Sequence, residues 1–173
     1  MRPVEVHWKL FCLEEVNKKE GTEVDWENGR SAPVLRVLAL VRRKYGDEGF
    51  DRLYDALGKA RFVREETLND PAVIEAALKE AGLDPGLRAA ALADDTTRDE
   101  VAAEHAAVVA NQGAFGVPTL VLREDQKSGI FGPVIDKVPE GEEAGDLWDH
   151  VKSLAGQQSF YELKRSRPTP PHH

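Results

Sequence analysis

Between Ser31 and Gly113 five consecutive segments carry apolar residues at helical spacing, and strand-like sequence is confined to short stretches on either side. That distribution dominates what the chain can become. Ser31 can cap the first segment, and Pro33 sits in its first turn. Val34, Val37, Leu38, Val41 and Tyr45 fall on one face, Arg42, Arg43 and Lys44 suit the C-terminal dipole, and Gly46 is the expected stop. The second segment carries Phe50, Leu53, Tyr54 and Leu57. The third is expected to use Asp70 as cap and Pro71 as first residue, with Val73, Ile74, Ala77 and Leu78 apolar and Gly82 as stop. The fourth starts at Asp84-Pro85. In the fifth, Thr97 stands three residues before Glu100 at capping-box spacing, Val101, His105 and Val108 share a face, and Gly113 ends the helix.

On the N-terminal side, Val4-Glu5-Val6-His7-Trp8-Lys9-Leu10 alternates apolar and polar residues, which predicts a half-buried strand with Val4, Val6, Trp8 and Leu10 inward. Residues 17–31 read as a loop. On the C-terminal side, Thr119 to Leu122 predicts a short buried strand, Glu124 to Gly129 a turn, and Ile130 to Ile135 a second strand. Pro133 lacks a ladder donor and marks that strand as an edge or a bulge. A last helix is expected from about Glu143 to Ala155, followed by an extended basic tail with Lys164, Arg165 and Arg167. The order of strand, five helices, hairpin and helix implies an α/β or α+β domain with a small sheet and a large helical insertion.

Charge and cysteine count exclude several functions. The 173 residues carry a formal charge of −8, which disfavours a general nucleic-acid binder. No apolar run reaches the roughly 18 residues of a membrane span, and the N-terminus lacks the apolar core of a secretory signal, so a cytoplasmic protein without a membrane partner is expected. The single cysteine, Cys12, allows neither an internal disulfide nor a CxxC motif. The five histidines, at positions 7, 105, 150, 172 and 173, form no ligand-spaced pair, so no metal and no cofactor is expected. Cys12 reads as a buried small hydrophobe at a strand end, because Glu14 and Glu15 oppose any thiolate stabilisation by Lys9. His105 reads as a packing histidine. Trp8, Trp148, Phe115 and Phe131 read as core.

The run Gly116-Val117-Pro118-Thr119, after a long helical stretch and directly before a strand, resembles the cis-proline loop of DsbA-type thioredoxin-fold proteins. Ile130-Phe131-Gly132-Pro133-Val134-Ile135, the segment from Val138 to Asp149, and Phe160 to Arg165 are similar to the actinobacterial cytosolic branch of that family. That branch includes mycothiol-dependent reductases and DsbA-like dithiol-disulfide isomerases. The resemblance runs from about Val4 to Pro171. It implies one α/β, thioredoxin-like domain over 1–173, with the helical insertion at about 32–112 and the thioredoxin-like remainder at 4–12 and 117–156. It implies a cis bond at Pro118, a substrate groove made by Val117, Pro118 and Thr119, and an extended peptide or a low-molecular-weight thiol as partner. Family members open with a central strand and a CxxC helix ahead of the strand that Val4–Leu10 resembles. The expectation is therefore an N-terminally incomplete thiol-disulfide oxidoreductase homologue, with no catalytic residue and no dithiol activity as it stands. A non-catalytic binding or assembly module, or a late-assigned start, would account for the same sequence. The strand edges that such a chain exposes would be covered by a second copy, as a homodimer.

Overall fold

In a computed structural model, residues 2–123, 127–135 and 137–166 are described. They form six helices and one two-stranded sheet: α1 (Leu13–Asn17), α2 (Ala32–Phe62), α3 (Pro71–Glu80), α4 (Leu87–Ala93), α5 (Asp95–Gln112), β1 (Thr119–Leu120), β2 (Ile130–Phe131) and α6 (Gly141–Ala155). The protein is therefore mostly helical. Helix α2 is the hub, and α3, α4 and α5 all pack on it.

The reason lies in its first half. Ala32, Pro33, Val34, Arg36, Val37, Leu38, Ala39, Leu40 and Val41 are all buried. A stretch enclosed on every side belongs at the centre of a bundle rather than on its surface. Tyr45, which the helical pattern places on the same face, is exposed. Gly46 follows with φ +67° and ψ −167°, a backbone region that is essentially open only to glycine. The first helical run stops at Gly46 as expected, and α2 is two helical halves joined across a sharp kink there. Beyond it, Phe50, Leu53, Ala56 and Leu57 return to the core.

Local chemistry sets the other helix ends. The Asp70 carboxylate accepts from the Ala72 N–H at 2.9 Å, with Pro71 at the first helical position of α3. Gly82, at φ +71°, and Gly113, at φ +64°, take the left-handed conformation that closes α3 and α5. Two expected caps differ. Thr97 does not open α5; Asp94 does, accepting from the Thr96 N–H at 3.0 Å. Nor does the Ser31 hydroxyl cap α2. One oxygen of Glu14 accepts from the Ser31 N–H at 2.6 Å, the Ser31 hydroxyl at 3.0 Å and the Ala32 N–H at 3.0 Å. Helix α1 exists to deliver that carboxylate to the N-terminus of α2, where the helix dipole favours a negative charge.

The N-terminal arm is the main correction to the sequence reading. Residues 3–10 form no strand, and of the four residues expected inward only Leu10 is buried; Val4, Val6 and Trp8 are exposed. Period-two alternation is only a capacity for strand pairing, and no described residue pairs with this segment. Side chains hold it instead. Arg2 bridges Asp146 and Asp149 of α6 at 3.2 and 2.8 Å, and the Trp8 indole N–H donates to Asp51 at 2.6 Å. The Trp8 ring lies against Tyr54 and Phe50 of α2.

The expected C-terminal strands are shorter than their sequences suggest. Thr119 faces Phe131 and Leu120 faces Ile130 in an antiparallel pair, and ladder pairing ends there. Residues 124–126 of the predicted turn, Asp136, and the tail from Arg167 onward lie outside the described residues.

Arg36 is the charged residue at the heart of the bundle, 1% exposed. Its guanidinium donates to the Thr97 hydroxyl at 3.0 Å and to the carbonyls of Ala91 and Leu92 at 3.1 Å, with longer bonds to those of Asp94 and Trp26. Burial pushes its pKa below the ordinary arginine value. Replacement by Met should deprive the Leu92 carbonyl of its Arg36 donor and remove the guanidinium's ties to Trp26, Ala91, Asp94 and Thr97, lowering stability by about 3 kcal/mol. Arg36→Lys should recover little, because one ammonium cannot reach the donor positions of a planar fork. Urea unfolding of both variants tests this, and a loss under 1 kcal/mol for Met would remove Arg36 from its structural role.

Candidate functional site

The loop between α5 and β1 is built by backbone bonding. Gly113 ends α5, and the Gly129 N–H donates to the Gln112 carbonyl at 2.8 Å, which ties the hairpin to the helix end. The Gly132 N–H donates to the Pro118 carbonyl at 2.8 Å, and the Thr119 hydroxyl to the Gly116 carbonyl at 2.7 Å. The Val117–Pro118 and Gly132–Pro133 peptide bonds are both cis.

The three groove residues expected from the sequence thus sit together on one turn. Val117 and Pro118 are exposed, and Thr119 is half-buried. The Val117 N–H and C=O have no hydrogen-bond partner among the described residues. Each of the flanking residues has one committed carbonyl, so the turn holds its shape while leaving one donor and one acceptor open.

Two aromatic residues flank that opening. Phe115 is 67% exposed and Phe131 is 42% exposed, where the sequence reading places both in the core. Their rings stack at 5.3 Å between centroids with 28° between planes. A Cβ on Gly116 would lie 3.0 Å from the Phe131 ring, so glycine lets the loop pass beneath it. The sequence offered no signal for this pair; it is the hairpin register, with Thr119 across from Phe131, that brings the second ring to the turn. Trp148, also expected in the core, is half-buried on α6.

Cys12 lies apart from this chemistry. Its side chain is fully enclosed in the helical core, and its N–H donates to His105 Nδ1 at 3.3 Å. Burial pushes the thiol pKa up; backbone N–H groups of Glu15 and Glu14 act against this, and the two carboxylates add to it. A thiolate there is disfavoured, so Cys12 lacks the electropositive, accessible setting that a nucleophile needs. His105 packs edge-on against Phe11 with centroids 4.6 Å apart. The hydrogen bond requires a lone pair on Nδ1, which fixes the neutral imidazole with its proton on Nε2. Among the described residues, no group of three or more His, Cys, Asp or Glu side chains could hold a metal ion. No helix of the described residues is long and apolar enough to cross a membrane.

The loop keeps one residue's amide groups open among the described residues, beside two exposed rings and apart from the buried thiol. Comparison with known proteins gives it a family. The model of a family described as Rv2466c-like, mycothiol-dependent nitroreductase Rv2466c, matches residues 1–165, and the chain belongs to that family. It is also 39% identical over 168 residues to the uncharacterized protein Rv2286c of Mycobacterium tuberculosis, an alignment covering 95% of this chain and 70% of that relative.

Two measurements test the Cys12–His105 pair. A thiol reagent should modify Cys12 in the folded protein only as fast as the core opens, with full reactivity returning in denaturant; rapid labelling of the native state would contradict the burial argument. The second is pH dependence. Burial lowers the His105 pKa; Glu15 opposes this and Lys18 reinforces it. Its folded pKa therefore lies below the unfolded value near 6.5, and around pH 6 the unfolded chain binds more protons. The stabilisation is complete above the unfolded pKa and is lost as pH falls through the folded one. The urea midpoint should fall between pH 7.5 and 5.5, and His105→Gln should remove that part of the slope.

Proposed function

We propose that this chain acts in thiol-dependent redox chemistry, with Val117, Pro118 and Thr119 as its substrate-binding turn and a low-molecular-weight thiol of the mycothiol class as its partner. The observation that carries the reading is the open amide pair of Val117 on a turn whose neighbouring carbonyls are already bonded. An extended substrate with an amide next to its sulfur fits it: its C=O meets the Val117 N–H and its N–H meets the Val117 C=O. The family description, which names a mycothiol-dependent enzyme, supports a thiol as that substrate. The thioredoxin-like, DsbA-type fold implied by the Gly116-Val117-Pro118-Thr119 run belongs to the same reading.

In such chemistry a thiolate attacks a disulfide sulfur, the S–S bond breaks, and the other sulfur leaves as a thiolate. Cys12 is not the attacking group, because burial both hides it and raises its pKa. The residues at the turn bind and orient the sulfur compound. Its electrons come from the thiol.

The test is a titration with mycothiol and with its disulfide, followed in amide ¹H–¹⁵N spectra. Shifts should centre on Phe115, Gly116, Val117 and Thr119. Thr119→Val removes the 2.7 Å bond to Gly116. It should cost about 1 kcal/mol of stability and weaken binding several-fold. Shifts centred on Cys12, or an absence of shifts at the turn for both compounds, would refute the assignment.

A further inference from the structure

We infer that the stacked Phe115–Phe131 pair is a specificity ledge, which takes a flat, uncharged aromatic ring carried on the sulfur of a compound bound at the Val117 turn. This rests on the turn being the substrate site.

The pair is joined to the turn by covalent and ladder geometry. Phe115 is two residues before Val117, and Phe131 is the ladder partner of Thr119, two residues after it. The rings therefore flank the open amide groups from both strands of the hairpin. Their contact, 5.3 Å with 28° between planes, is an offset stack of two faces. In the usual role such a pair is enclosed. Here Phe115 is 67% exposed, so much of its ring surface is open to solvent. A third ring laid on it would continue the same geometry.

Charge narrows the ligand. From Gly113 to Val121, and from Gly129 to Ile135, the hairpin carries no charged side chain. A cationic ligand would find no carboxylate among these residues to offset the loss of its hydration, despite the negative faces of the two phenyl rings. A neutral ring meets no such penalty. Flatness matters as well: a stack needs parallel faces, which a saturated ring of similar size cannot supply.

Three probes share one amide and differ only on sulfur: the S-methyl, S-cyclohexylmethyl and S-benzyl derivatives of N-acetylcysteine methylamide. Their affinities for the full chain can be measured by calorimetry and located by amide shifts. The benzyl compound should bind roughly three- to tenfold tighter than the cyclohexylmethyl one, the range expected of an aromatic pair beyond its apolar area. Phe115→Leu, which keeps an apolar side chain at an exposed position, should abolish the preference for benzyl over cyclohexylmethyl, so that the two probes bind alike. Phe131→Leu should do the same and covers the case in which the first variant disturbs the loop. Equal binding of benzyl and cyclohexylmethyl probes, with shifts still at Val117, would overturn the ledge and leave the turn as binding site. Failure of all three probes to shift the turn would overturn both.

Discussion

The arrangement of the helical core depends on one buried cation without a carboxylate beside it. Arg36 projects from the central helix into the junction of α4 and α5, where helix ends leave carbonyls unbonded. A helix junction inside a core is normally costly for that reason, since buried carbonyls need donors. The guanidinium supplies several donors in one plane and serves the carbonyls of Ala91, Leu92, Asp94 and Trp26 and the Thr97 hydroxyl. Partial charges on those carbonyls also substitute for water around the cation. Each side thus satisfies what the other would lack alone, and the short seven-residue α4 can sit against α2.

The same residue explains why one cap was misread. Thr97 and Glu100 have capping-box spacing, and Asp94 is an equally good cap three residues earlier. Spacing cannot choose between them. The choice is made by a residue far away in sequence, because Thr97 must lie inside the helix to present its hydroxyl to Arg36. Arg42 and Arg43 then fasten α2 to α5 through Glu100, Glu104 and Asp94. Where the deciding interaction was local, as at Asp70-Pro71, Gly82 and Gly113, the sequence was sufficient. Where it was long-range, as for Glu14 capping α2 across a loop, pattern alone could not find it.

The N-terminal arm shows the opposite limit. Alternating Val4, Val6, Trp8 and Leu10 specify a strand only when another strand lies alongside. Here the arm is fixed by Arg2 at one end and by Trp8, Leu10 and Cys12 at the other. Its apolar residues Val4 and Val6 remain open to solvent. The turn at Gly116-Val117-Pro118-Thr119 was legible because such a run carries its own backbone geometry. The aromatic pair beside it was not, since a phenylalanine between glycines reads as core until its exposure is known.

The core and the hairpin are consequently held by different means. Among the described residues, the hydrophobic core is drawn from the arm's end and helices α2 to α5, with no member from the hairpin or α6. The hairpin keeps its shape by backbone bonds and by the Thr119 hydroxyl rather than by burial. Side chains there can change without opening the core, so Phe115, Val117 and Phe131 tolerate substitution where the buried Arg36, Cys12 and Thr97 do not. A buried thiol and an open amide turn are therefore not two halves of one centre. The first is a constraint of packing, and the second is an exposed turn shaped by its own backbone bonds.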